Sequence, residues 1–285
     1  MKLVSIIPAL VLVIALGAMG LWMMSPPPDV GGMGVPIPKP KPSMRDEEKS
    51  LTGKLIPGTA RPSSLKGEWS QFRGNALDSK SHDSRAILTE WPEGGPTTVW
   101  SVGLSKGHGG ASVHKGMAYI LDYDTTTFAD VIRCLNLETG QEVWSYTYPI
   151  KIKNNHGITR SVPAVNDKYV VTIGAKAQVY CLDAKTGEFM WSKSLVLEYG
   201  TVIPKWYSGQ CPLMVGDKVI VAPSGPKGFV VQFDCATGEV EWTSENSMRW
   251  DMTHTSITPM TLADGTETYV YSGSGGVAGV DAKTG

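Results

Sequence analysis

The chain has 285 residues and a formal net charge of −1, with only 19% charged residues and abundant Gly (32) and Pro (19). That balance fits a turn-rich β protein better than a helical one. No block of like charge offers the basic stripe of a nucleic-acid binder, so nucleic acid is excluded as a partner.

Residues 3–24 hold no charged side chain and follow Lys2 and the terminal amine. A stretch of this length spans a bilayer as a helix, and its positive end stays in the cytoplasm. Two readings stay open. A signal peptide would be cleaved near Ala15-Leu16-Gly17 or Ala18-Met19-Gly20, whereas the apolar run continues through Leu21-Trp22-Met23-Met24. The length and the interfacial Trp22 favour an uncleaved signal anchor. The remaining chain is then expected in the periplasm, either anchored to the inner membrane or secreted. No Cys lies directly after the segment, which argues against a lipoprotein anchor.

Residues 25–66 read as a linker. Nine of the nineteen prolines fall in the 38 residues from Ser25 to Pro62. Proline favours extended polyproline II, so such a tether reaches roughly 100 Å at about 3.1 Å per residue.

From 67 to 285 the chain is repetitive. Leu-Asn-Leu-Glu-Thr-Gly-Gln-Glu-Val-Trp (135–144) returns as Leu-Asp-Ala-Lys-Thr-Gly-Glu-Phe-Met-Trp (182–191) and as Phe-Asp-Cys-Ala-Thr-Gly-Glu-Val-Glu-Trp (233–242). A fourth copy, Val-Asp-Ala-Lys-Thr-Gly (280–285), stops before its tryptophan. The Thr-Gly pairs begin at 139, 186, 237 and 284, in steps of 47, 51 and 47 residues. A period of this size with a fixed tryptophan marks a stacked or radial repeat. Within the second copy, four short runs rich in β-branched and aromatic residues (161–165, 168–173, 178–182 and 188–191) are separated by turn formers, which predicts a four-stranded meander. The other copies follow the same plan, the fourth without its last strand.

The repeated residues have mechanical explanations. Asp183, Asp234 and Asp281 each hold a turn by accepting backbone hydrogen bonds, and Gly140, Gly187 and Gly238 supply the positive φ that leaves it. A catalytic carboxylate is needed once, a turn device in every unit. Trp144, Trp191 and Trp242 close the outermost strand and are expected to bury on the neighbouring unit. Trp100, 44 residues before Trp144, is expected to sit on the outer strand of a further unit. Cys134, Cys181, Cys211 and Cys235 include no Cys-x-x-Cys, so they read as free, half-buried thiols with neither metal nor redox function.

These residues resemble the quinoprotein-type β-propellers built from the PQQ repeat. The docking motif, Asp-x-x-Thr-Gly followed by Trp, is matched one spacer short at 183–191 and 234–242, with Asn136 replacing the aspartate in the first copy. The lead-in Trp69-Ser-Gln-Phe-Arg-Gly74 is similar to that of exported bacterial PQQ-repeat proteins, and the same repeat builds BamB. The resemblance implies a propeller of seven or eight blades, of which about four are present here. It also implies that a full-length relative continues for three or four more. In the PQQ-dependent dehydrogenases of the group, the cofactor lies on a tryptophan beside a disulfide of adjacent cysteines. Ca²⁺ is held there by Glu, Asn and Asp. Adjacent cysteines are absent here and no such set is evident, so neither cofactor nor metal is expected.

The loops entering each innermost strand ring the central channel, and they hold the candidate binding residues. These are His108, His156, Arg160, Trp206, Tyr207, Gln210, Trp250, Asp251 and His254. Aromatics with a few polar groups suit a small-molecule pocket or a partner surface. The expected function is a membrane-tethered, non-catalytic propeller that binds a protein partner or small ligand. The alternative is a PQQ- and calcium-dependent alcohol or sugar dehydrogenase.

Overall fold

The computed structural model describes residues 53–84 and 88–285. The apolar segment 3–24 and the tether as far as residue 52 lie outside the described residues. Among the described residues, no helix is long and apolar enough to cross a membrane.

The architecture is all-β. β1 (Lys54–Pro57) precedes a first sheet of β2 (Ser112–His114), β3 (Met117–Asp124), β4 (Ala129–Asn136) and β5 (Glu142–Pro149). A second sheet holds β6 (Ala164–Val165), β7 (Tyr169–Ile173), β8 (Gln178–Asp183) and β9 (Phe189–Ser194). A single-turn helix, α1 (Leu195–Tyr199), follows. The third sheet comprises β10 (Leu213–Val215), β11 (Lys218–Val221), β12 (Val231–Asp234) and β13 (Val240–Thr243). The fourth has β14 (Thr258–Thr261), β15 (Glu267–Gly273) and β16 (Gly276–Asp281). From β2 onward, every strand pairs antiparallel with the next in sequence within its sheet. The predicted meander therefore appears in each unit, and β6 lies beside both β2 and β10, so the innermost strands are neighbours. α1 was not foreseen. Ser194 caps its start by accepting from the Leu197 N–H, and Gly200 ends it at φ 72°.

The core lies between the sheets. β7 is buried along its whole length because sheets cover both of its faces, and Tyr-Val-Val-Thr-Ile accordingly shows no apolar–polar alternation. Each seam is closed by a tryptophan and a glycine. Trp100 lies against Gly140, Trp144 against Gly187, Trp191 against Gly238 and Trp242 against Gly285. A Cβ on any of these glycines would stand 2.5–2.7 Å from the indole, and all four have φ between 69° and 74°. Only glycine satisfies both demands. The aspartates behave as turn devices. Asp183 Oδ1 accepts from the Lys185 and Thr186 N–H groups at 2.9 and 2.8 Å, and Asp234 and Asp281 repeat the pattern.

Three expectations need correction. The end of the proline-rich stretch is not all tether: β1 adds a fifth strand to the outer edge of the first sheet, with Leu55 opposite Tyr146 and Pro57 opposite Trp144. Trp100 lies in no strand; it docks on Gly140 from an irregular segment and donates its Nε1–H to the Leu137 carbonyl at 3.0 Å. The four cysteines are free, and buried rather than half-buried.

Candidate functional site

The antiparallel order gives each sheet two ends. One carries the Asp-x-x-Thr-Gly turns; the other carries the loops that lead into the next innermost strand. Loops 101–111, 150–163, 200–212 and 244–257 enter β2, β6, β10 and β14, and they touch one another in that sequence. Gly107 bridges Thr159, with the His108 N–H donating to Thr159 O and the Ile158 N–H to Lys106 O, both at 2.7 Å. Tyr207 Oη donates to Lys153 O at 2.6 Å, and Asn155 Nδ2 to Lys205 O at 3.2 Å.

Arg160 is the clamp of this end. Its Nη2 donates to the carbonyls of Asn155 (2.8 Å), His156 (2.7 Å) and Gly157 (3.3 Å), while Nη1 donates to the carbonyl of Trp206. The planar fork of guanidinium donors suits several carbonyls at once, so Arg160 joins the second and third loops and is not free to hold an anion. Above it lies a row of rings. His156 meets Trp206 edge-on with centroids 5.9 Å apart, and the His254 ring centroid lies 6.5 Å from that of the same indole. Trp206 remains 43% exposed, and Lys205 Nζ sits 5.5 Å from its ring centroid. His108 packs against Gly157, where a Cβ would come within 2.8 Å of the imidazole.

The remaining sequence-derived candidates belong to the scaffold. Gln210 is fully buried and pairs both its amide atoms with Ala222 (Oε1 accepting at 2.7 Å, Nε2 donating at 3.1 Å). The Trp250 indole fills the space over Gly273, Gly275 and Gly276 and meets Phe229 edge-on. The Asp251 N–H donates to Ser274 Oγ at 2.8 Å and its carbonyl accepts from the Ser274 N–H at 3.1 Å, while burial pushes its carboxyl above the usual range. Among the described residues, no three His, Cys, Asp or Glu side chains come together in a way that could hold a metal ion. The cysteines are buried singly and give no adjacent pair.

Two features escaped the sequence reading. Lys106, Lys153 and Lys205 lie where the loops are tied, because it is their own carbonyls that accept the ties. The signal was available: loops 101–111, 150–163 and 200–212 contain no acidic residue. The second feature is Asp130, fully buried between the first two sheets. Tyr148 Oη donates to its Oδ2 at 2.8 Å, while Oδ1 has no partner. Burial pushes this carboxyl up to about 7.

Comparison with known proteins gives three results. A family model described as outer membrane protein assembly factor BamB matches residues 128–285. The quinohemoprotein alcohol dehydrogenase ADH IIB of Pseudomonas putida is 32% identical over 131 residues, which is 42% of this chain and 18% of that protein. The dehydrogenase subunit of the quinone-dependent alcohol dehydrogenase of Komagataeibacter europaeus is 24% identical over 213 residues, 69% of this chain and 27% of that protein. The chain thus spans less than a third of the length of either curated relative. Among solved structures, BamB from Moraxella catarrhalis has a TM-score of 0.45 at 21% identity, covering 66% of this chain and 49% of that one. With the family match extending over more than half of the chain, and with the tryptophan-docked sheets it lies on, this protein belongs to the BamB-like family of PQQ-repeat β-propellers.

Proposed function

We propose that this chain is a non-catalytic binding module, a propeller that docks a partner protein or small ligand on the loop end of its blades. The supporting observation is Trp206, an exposed indole beside His156 and His254, on a loop that Arg160 fastens to the one bearing His156. A rigid aromatic anchor on a pre-ordered surface is the usual heart of a binding hot spot, because little entropy is lost on docking. In the same reading, residues 3–24 tether the propeller to the inner membrane, with the blades in the periplasm. His108 extends the surface along the first loop.

A second reading, a quinone- and calcium-dependent dehydrogenase of alcohols or sugars, is supported by the two curated relatives, which are alcohol dehydrogenases. When bound, such a quinone accepts the electrons of the alcohol. No residue of this chain is assigned to hold it. Titrating the full chain with PQQ, with and without Ca²⁺, and following absorbance separates the two readings. Absence of saturable binding is expected. Tight stoichiometric binding with turnover of an alcohol would overturn the binding-module reading.

A further inference from the structure

We infer that the partner docked on the loop end is an acidic protein segment, its carboxylates meeting Lys106, Lys151, Lys153 and Lys205 and an apolar side chain seating on Trp206. This rests on the binding-module reading above and names the chemistry of the partner.

The loop end carries a charge asymmetry. The chain carries 26 basic and 27 acidic residues, yet the three loops entering β2, β6 and β10 hold Lys106, Lys151, Lys153, Arg160 and Lys205 with no Asp or Glu. At the opposite end of the sheets the lysines near the innermost strands are neutralised. Lys115 pairs with Asp167 at 2.6 Å, Lys168 with Asp217 at 2.7 Å, and Lys218 with Asp234 at 2.8 Å. Among the described residues, Lys106, Lys151, Lys153 and Lys205 have no such partner, and all four are exposed. The nearby carboxylates are engaged: Asp122 accepts from the Ser105 N–H at 2.9 Å and faces Arg133, and Asp124 is held by Thr126 and Thr127. Glu245 and Asp251 lie on the fourth loop.

The lysines are also gathered by construction. Lys106 O accepts from Ile158, Lys153 O from Tyr207 and Lys205 O from Asn155, so each charge springs from a point where two loops are fastened. A surface field of one sign steers an oppositely charged partner and fixes its orientation. Phosphate-bearing partners fit less well. Within the three lysine-bearing loops the one guanidinium, Arg160, already serves up to four carbonyls, so the bidentate fork that phosphate recognition favours is engaged there, and Arg249 stands apart on the fourth loop. Lys205 Nζ lies 5.5 Å from the centroid of the exposed Trp206 indole, and with the lysines on the loops fastened to it this suits carboxylates spaced along a peptide with one apolar anchor.

The test uses the full chain in neutral detergent and a fluorescein-labelled peptide of aspartate and phenylalanine, read by anisotropy. A matching peptide of lysine and phenylalanine and an oligothymidylate are the comparison probes. The acidic peptide is expected to bind, more weakly as salt rises. Affinity should fall on the order of tenfold in the combined variant Lys106→Glu, Lys153→Glu, Lys205→Glu, and again in Trp206→Ala. Lys185→Glu and Lys283→Glu, exposed on the opposite turns, should leave it unchanged. Thermal melts establish that each variant is folded; if the triple reversal is not, Lys106→Gln, Lys153→Gln, Lys205→Gln replaces it with the same expectation in the same direction. Unchanged affinity in the loop variants, or capture of the oligothymidylate in place of the peptide, overturns the inference. Equal binding of the lysine peptide at Trp206 overturns it while leaving the binding-module reading intact. No peptide binding together with tight PQQ binding removes both.

Discussion

Trp191 lies across Gly238 and donates its indole N–H to the carbonyl of Cys235 at 2.8 Å. The contact joins the outer strand of one blade to the turn of the next, and the indole needs the bare Cα of glycine in order to lie that close. Trp100 makes the equivalent pair of contacts with Gly140 and Leu137. At the seam between the first two blades the same carbonyl position, Ala184, is taken at 3.0 Å by Tyr119 Oη, and the Trp144 N–H has no partner.

The glycine side of the seam gives the first prediction. Gly238→Ala places a Cβ 2.7 Å from the Trp191 indole on a residue at φ 71°. Strain and overpacking act together, so the variant should lose about 2–4 kcal/mol of stability, read from a denaturant midpoint. An unchanged midpoint would mean that the seam relaxes freely.

The two tryptophans should respond differently to loss of the indole nitrogen. Trp191→Phe removes a made hydrogen bond and leaves the buried Cys235 carbonyl only the weak Cys181 thiol donor at 3.4 Å, whereas Trp144→Phe removes an N–H that has no partner. Trp191→Phe should therefore cost about 1 kcal/mol more than Trp144→Phe. Equal losses would argue that packing alone sets the cost.

Asp130 links stability to pH. Its folded-state value of about 7 lies above the ordinary carboxyl range because it is buried. Its contribution is therefore full below the unfolded value and is lost as pH rises through about 7. Asp130→Asn should remove this dependence, so that the variant gains on wild type between pH 5 and pH 8. Parallel denaturation curves at the two pH values check it; a constant difference would sink it.

The lead-in of the propeller acts as a strap. Trp69 exchanges backbone hydrogen bonds with Val113, Ser70 O accepts from the Val165 N–H at 2.8 Å, and Gln71 Oε1 accepts from the Met214 N–H at 2.9 Å. Three consecutive residues thus meet the innermost strands of three successive blades. Gln71→Ala leaves buried backbone groups of Met214 unpaired and should cost about 1–3 kcal/mol. Hydrogen exchange should speed up first at the Met214 amide; exchange no faster than wild type there would refute the strap.

The repeat was legible in the chain because its causes are local. A turn that needs an aspartate and a glycine at positive φ, and a strand that ends in tryptophan, write themselves into sequence at every period. The all-β architecture, the four-stranded units and the structural role of Asp183, Asp234 and Asp281 followed from that alone. The candidate site was only half legible. Loop position identified His108, His156, Trp206 and His254 as neighbours, but Arg160, Tyr207 and Gln210 looked like binding groups until the structure showed their polar atoms bonded to backbone. Sequence lists the donors a residue carries; the fold decides which acceptors reach them first. β1 on the first blade, the strap of Trp69 to Gln71 and the buried carboxyl of Asp130 were likewise settled by tertiary structure, since each depends on contacts between segments far apart in the chain and none repeats with the period.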